Sequence, residues 1–113
     1  MQIPDDENGD VLRGMLEGGD TLTQPRMIDY CFKFSSRAQA IAFAEAVPEK
    51  EYEVCISYYD DDMWQSIVKK HMIPDHGEIS RIESDLSSRA VASGGEADGW
   101  GCMRITQDRK SVV

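Results

Sequence analysis

Histidine and cysteine are scarce in this chain of 113 residues, which contains two histidines and three cysteines. The histidines, His71 and His76, do not share a helix face, and no pair of cysteines or histidines has the short spacing of a zinc site. Cys31, Cys55 and Cys102 are odd in number and lie in separate apolar segments. We therefore expect buried, reduced thiols and no disulfide framework, and no metal site built from these side chains.

Sequence signatures of catalysis and of membrane insertion are also missing. The chain has no Gly-x-Ser-x-Gly turn and no glycine-rich loop with a phosphate-binding lysine. No run approaches the roughly 20 apolar residues of a membrane helix, and the acidic start of the chain lacks the features of a signal peptide. We expect a cytoplasmic protein that is not an enzyme and uses no cofactor.

Positive charge is in short supply, because 12 lysines and arginines face 21 aspartates and glutamates, for a net charge of −9. The imbalance lies in residues 1–62, which carry 14 acidic and 5 basic residues, whereas residues 63–113 carry 7 of each. Such a surface repels nucleic acid and anionic membranes and favours a basic protein partner, although acidity also simply keeps a protein soluble. The candidate contact residues are Asp5, Asp6, Glu7, Asp60, Asp61 and Asp62.

Hydrophobic periodicity predicts a single α+β domain over residues 1–113. The predicted elements are helices over 10–17, 35–47 and 76–92 and strands over 26–34, 52–59, 63–73 and 102–106. After the first helix, this order is typical of a ferredoxin-like βαββαβ sandwich, in which two helices cover one face of a four-stranded antiparallel sheet. It places the first strand between the third and the last strands. The position of the first helix is not predicted by these rules.

The same periodicity predicts which side chains are buried. The first helix, capped by Asn8 or Asp10, and the second helix are expected to bury Val11, Leu12, Met15, Leu16, Ala40, Ile41, Ala44 and Val47. The other face of the sheet is expected to be semi-polar and open, with Met27, Asp29, Cys31, Lys33, Glu53, Cys55, Ser57 and Tyr59.

Residues 94–101 are rich in glycine and contain a turn signal at Asp98 and Gly99, followed by Trp100. Two interpretations stay open for this segment. It is either a helix stop followed by a tight turn and a core tryptophan, or a recognition loop with Trp100 as its anchor.

The Asp98-Gly99-Trp100 motif resembles the turn that follows a helix in the RraB-like family, the regulators of ribonuclease E activity B. The similarity continues in the stretches 6–12, 29–34 and 38–46 and at Trp64, so it spans nearly the whole chain. The chain departs from the family in two places. Ala97 stands where a tyrosine is usual, and the long acidic tail of the inhibitory members is replaced by residues 108–113, which include Arg109 and Lys110.

The resemblance implies a ferredoxin-like α/β sandwich without catalytic activity. It also implies a protein partner, an endoribonuclease whose basic scaffold region is bound by the inhibitory members, and hence a role in RNA turnover. Two alternatives remain open. One is a small-molecule-binding or metal-binding domain that uses the open sheet face, and the other is a structural subunit or homodimer with that face as its interface.

Overall fold

The alternating segment at residues 26–34 forms an inner strand of a four-stranded antiparallel sheet. The structure is a computed structural model and describes residues 6–48, 50–58 and 63–102. The described elements are α1 (Glu7–Glu17), β1 (Arg26–Phe34), α2 (Arg37–Ala46), β2 (Glu53–Tyr58), β3 (Trp64–Met72), α3 (His76–Ala92) and β4 (Glu96–Cys102). The bounds predicted for β1 and α3 are confirmed. The prediction for β3 is one residue too wide at each end, and that for β2 begins one residue too early, while its predicted end at Tyr59 lies outside the described residues.

The strands lie in the order β2-β3-β1-β4. β1 pairs with β3 over its whole length, from Arg26 opposite Met72 to Phe34 opposite Trp64. Its other edge pairs with β4. The first strand therefore lies between the third and the last strands, as the sequence predicts, and within the described residues β2 and β4 are the edges of the sheet.

The core lies between one face of β1 and the two helices that pack on it. Alternate side chains of β1 point into it because successive residues of a strand face opposite sides of the sheet. Its fully buried side chains include Leu12 from α1, Leu22 before β1, Ile28, Tyr30, Phe32 and Phe34 from β1, Ala40 and Phe43 from α2, Val68 from β3, and Ile79, Ile82, Leu86 and Ala90 from α3.

The inner face of α2 differs from the predicted one. Phe43 is fully buried, and its ring centroid lies 4.9 Å from that of Phe32. Ile41 and Ala44, which were expected in the core, are only half-buried. Ala40 and Phe43 are three residues apart and so share one face of the helix, which turns Ile41 and Ala44 toward its flank.

Helix α1 begins three residues earlier than predicted and has a different cap. The side chain of Asp6, not of Asn8 or Asp10, accepts a hydrogen bond from the Gly9 N–H at 2.8 Å. Leu12 and Met15 are buried as expected. The predicted burial of Val11 and Leu16 is wrong, since they are 46% and 38% exposed. Helix α1 packs against α3, and only a narrow stripe of the α1 surface takes part in this contact.

Strand β4 covers Glu96–Cys102, whereas the sequence predicts a loop at 96–100 and a strand at 102–106. Residues 103–106 lie outside the described residues. The glycines that suggested a loop are accommodated by a bulge, in which Asp98 and Gly99 oppose the single residue Cys31 of β1. Gly99 has a φ of 95°, a conformation that glycine adopts at little cost.

The thiols are less buried than the sequence predicts. Cys55 is exposed, while Cys31 and Cys102 are half-buried, and all three are free. Cys55 lies on the edge strand β2 and faces away from the core. No described residue covers its side chain. Burial raises the pKa of the Cys31 and Cys102 thiols.

Candidate functional site

The tryptophan of the Asp-Gly-Trp motif is tied to the start of α1 and to the middle of α3. Trp100 Nε1 donates a hydrogen bond to Asn8 Oδ1 at 2.8 Å. Asn8 Nδ2 in turn donates to Ser80 Oγ at 3.0 Å and to Glu83 Oε1 at 3.1 Å. One amide side chain therefore joins three elements that are far apart in the sequence.

A groove with a volume of about 380 Å³ lies beside this junction. Its lining comes from the first turns of α1, from α3 and from the bulge of β4: Glu7, Asn8, Asp10, Val11, Glu83, Gly99 and Trp100. Three of these residues are acidic and none is basic. Val11 and the half-buried Trp100 add apolar surface, so the groove, hereafter the acidic groove, combines carboxylates with an aliphatic and an aromatic side chain.

The carboxylates of the acidic groove differ in how they are already paired. Asp10 forms an ion pair with Arg13 on the next turn of α1. Glu7 and Glu83 form no ion pair with any other part of the described chain, and Glu83 accepts a hydrogen bond only from Asn8. Within the described residues, the negative charge of Glu7 and Glu83 is therefore not neutralised by a basic side chain.

A second contact between α1 and α3 lies next to the acidic groove. His76 Nε2 is 2.9 Å and 3.0 Å from the two carboxylate oxygens of Asp6. The same carboxylate caps α1 through Gly9, so Asp6 both starts the helix and holds it to α3. The pKa of Asp6 lies below its ordinary value of 3.8, first because the Gly9 N–H donates to the charged carboxylate and then because His76 does.

The lowered pKa of Asp6 predicts that its contribution to stability depends on pH. A carboxyl group whose pKa is lower in the folded state stabilises the fold above its unfolded pKa and loses that contribution as pH falls through the folded pKa. We expect Asp6→Asn to lower the free energy of unfolding at about pH 6 and to have a smaller effect at about pH 2.5, because the Asp6 carboxyl takes up a proton as the pH falls through its folded pKa. Urea unfolding at the two pH values measures the difference. An equal effect at both would contradict the prediction.

The open face of the sheet carries a second cavity, of about 560 Å³. Its lining includes residues of β1, β3 and β4: Met27, Asp29, Cys31, Lys69, Asp98, Gly99, Trp100, Gly101 and Cys102. Its carboxylates have cationic neighbours, since Lys69 Nζ is 3.4 Å from Asp29 and Lys33 Nζ is 3.7 Å from Asp98. Unlike the acidic groove, this cavity has carboxylates that are paired with neighbouring lysines. Under the alternative of a small-molecule-binding domain, this cavity would be the place for the ligand.

The residues predicted as contacts fall into three groups. Asp6, Glu7, Gly99 and Trp100 come together around the acidic groove and its edge. Asp98 does not line the acidic groove but lines the cavity of the open face, to which Gly99 and Trp100 also contribute. Asp5, Asp60, Asp61 and Asp62 lie outside the described residues.

Four residues of the acidic groove were not predicted as contact residues from the sequence. Val11 was assigned to the core, and Asn8 and Asp10 were considered as helix caps. Glu83 was not considered at all, although it lies three residues after Ser80 and therefore on the same side of α3. The missing information was the position of α1, which hydrophobic periodicity does not supply.

Two classes of site find no support in the described part of the chain. No group of three or more histidine, cysteine or acidic side chains there is arranged to hold a metal ion. No described helix has both the length and the apolar character needed to span a bilayer.

Comparison with known proteins gives one finding. The model of the RraB family, described as "Regulator of ribonuclease activity B", matches residues 5–102. The match includes every residue of the acidic groove and the whole Asp98-Gly99-Trp100 motif. A search of the curated proteins found no match to the chain. Because the family match covers most of the sequence, the chain belongs to the RraB family, the regulators of ribonuclease activity B.

Proposed function

We propose that this protein is a non-enzymatic regulator of a ribonuclease and acts by binding that ribonuclease through the acidic groove. The observation that carries the proposal is the family match over residues 5–102, since the family is described by the regulation of ribonuclease activity. The acidic groove supports it by offering a surface suited to a protein partner, with two unpaired carboxylates beside exposed apolar side chains.

The charge of the chain supports a ribonuclease as the partner. A ribonuclease binds an anionic substrate and therefore exposes lysines and arginines. A protein with a net charge of −9 is attracted to the same basic residues and is repelled by the RNA itself. Binding at those residues would hinder the ribonuclease from engaging RNA, which is a direct route from association to regulation.

The narrower form of the proposal follows the family resemblance. The partner is ribonuclease E, bound through a basic scaffold segment, and the complex acts in the cytoplasm to restrain RNA degradation. The fold is assigned as a ferredoxin-like sandwich with α1 added beside α3, an assignment that is supported by a four-stranded antiparallel sheet with β1 and β3 at its centre.

The experiment compares ribonuclease binding by the wild type and by two variants of equal charge. The triple variant Glu7→Gln, Asp10→Asn, Glu83→Gln removes the acidic groove's carboxylates. The control triple variant, Glu17→Gln, Glu45→Gln, Glu51→Gln, removes three exposed carboxylates outside it. We expect the first to weaken affinity for purified ribonuclease E about tenfold and to flatten its salt dependence, because each charge contributes roughly 0.2–1 kcal/mol.

The control triple variant is expected to change the affinity by about twofold or less, through long-range charge alone. Cleavage of an RNA substrate is measured with the same samples, and the inhibited rate should recover in proportion to the lost binding. Equal weakening by both variants would exclude the acidic groove as the contact. Absence of any binding and any change in cleavage would contradict the proposed function itself.

A further inference from the structure

The chemistry of the acidic groove singles out one kind of side chain on the partner. We infer that the groove holds a single arginine, whose guanidinium lies flat against the Trp100 indole and donates hydrogen bonds to Glu7 and Glu83. This inference rests on the proposed function and names the side chain that the same site recognises.

The first argument is that the Trp100 indole is fixed in place. Its Nε1 is held by Asn8 at 2.8 Å, and its backbone pairs with Tyr30 in the centre of the sheet. The indole cannot rotate without losing its hydrogen bond, and that loss opposes reorientation. Trp100 lines the acidic groove, and tryptophan is the best aromatic partner for a cation.

The second argument is that there is space beside this indole. The preceding residue, Gly99, has no side chain, and a Cβ built on it would meet no atom within 4 Å apart from those of its two chain neighbours. Val11 lines the same groove and is 46% exposed, so the stem of a long side chain has an aliphatic neighbour. The groove therefore suits a residue with both an apolar stem and a charged, flat head.

The third argument is the arrangement of acceptors. Glu7 lies on α1 and Glu83 on α3, and neither is neutralised by another described residue. Glu83 uses Oε1 to accept from Asn8, and Oε2 receives no hydrogen bond from the described chain. Asn8 thus positions both the indole and one carboxylate. Two acceptors on different helices match the spread N–H donors of a guanidinium better than the compact ammonium of lysine.

The test uses small probes and the intact protein. N-acetyl-arginine amide, N-acetyl-lysine amide and the neutral N-acetyl-citrulline amide are titrated while the indole N–H resonances of Trp100 and Trp64 are followed by NMR. We expect the arginine probe to shift the Trp100 resonance to saturation, with an affinity about fivefold or more above that of the lysine probe. Only the guanidinium can both stack on the indole and donate hydrogen bonds to two carboxylates at once. The citrulline probe should produce little shift, and Trp64 should not respond.

Variants then locate the site. Glu83→Gln should weaken binding of the arginine probe about threefold or more, whereas Glu17→Gln on the opposite part of α1 should leave it unchanged. Equal affinities for arginine and lysine, a citrulline response as large as that of arginine, or no shift of Trp100 would each overturn the inference. The proposed function is tested by ribonuclease binding, separately from the probe titration. If a ribonuclease binds the protein and the groove triple variant weakens that binding, the proposed function stands even when the arginine probe fails to bind.

Discussion

Replacing Arg26 by methionine is expected to lower the free energy of unfolding by about 3–5 kcal/mol, the cost of removing one partner of a buried ion pair. The side chains of Arg26 and Asp20 are only 4% and 1% exposed. Arg26 Nη1 and Nη2 donate to the two carboxylate oxygens of Asp20, the second at 3.1 Å, and Arg26 also donates to the Gln24 carbonyl. The Asp20 carboxylate raises the pKa of Arg26, so the guanidinium stays protonated.

The loss from Arg26→Met should be partly reversed by also removing the charge of the buried Asp20 carboxylate. Asp20 Oδ1 also accepts from the Leu22 N–H at 2.8 Å, so asparagine at position 20 keeps that acceptor while it discards the charge. We expect the double variant Asp20→Asn, Arg26→Met to be more stable than Arg26→Met alone by at least about 1 kcal/mol. Urea unfolding followed by circular dichroism measures both. A cost below about 1 kcal/mol for Arg26→Met would show that the buried pair is not a stabilising contact.

Replacing Phe43 by alanine is expected to cost a similar amount, about 3–5 kcal/mol, because it removes a fully buried ring from the core. The ring centroid of Phe43 lies 4.9 Å from that of Phe32 and 5.3 Å from that of Phe34, so its loss leaves a cavity between α2 and the sheet. The cavity cost adds to the lost transfer free energy, since neighbouring side chains relax only partly.

The matched control for Phe43→Ala is Ile41→Ala on the same helix. Ile41 is half-buried at the flank of α2, so we expect a clearly smaller loss, below about 2 kcal/mol. The comparison also separates the observed core face of α2 from the face that periodicity predicts. A larger loss at Ile41 than at Phe43 would contradict the observed orientation of the helix.

The comparison of sequence and structure shows which physical signals are local. The limits of β1 were predictable because Ile28, Tyr30, Phe32 and Phe34 alternate with less apolar residues over a long run. The limits of α3 were predictable because Pro74 and Asp75 mark its start and Gly94 its end. In both elements the residues that carry the signal are close neighbours in the chain.

The start of β4 and the face of α2 depend on contacts that are distant in the sequence. A run with several glycines favours a loop locally, yet here it pairs with β1 because Gly99 allows a bulge and Gly95 allows close approach. A Cβ at Gly95 would lie 2.3 Å from the Phe34 ring. The need for glycine at positions 95 and 99 becomes evident only when the partner strand is known. The buried face of α2 was hard to predict for another reason, because a short alanine-rich helix has several faces that are similarly apolar.

The candidate site was predicted in part for the same reason. Trp100 and Gly99 stand out by composition, and Glu7 by its place in an acidic run. Asn8 and Glu83 are ordinary residues of polar helix surfaces, and their importance comes only from the packing of α1 on α3. When a site is assembled from three elements, the sequence predicts only those of its residues that carry a local signal in their own element.

The hydrogen bond between Asn8 and Trp100 spans 92 positions of the chain, and this has a consequence for protein synthesis. Residues near the start of the chain leave the ribosome long before Trp100 is translated, and domains fold as units once their contacts are complete. The acidic groove can therefore form only after β4 has emerged and paired with β1. A nascent chain whose synthesis has not yet passed β4 therefore lacks the acidic groove.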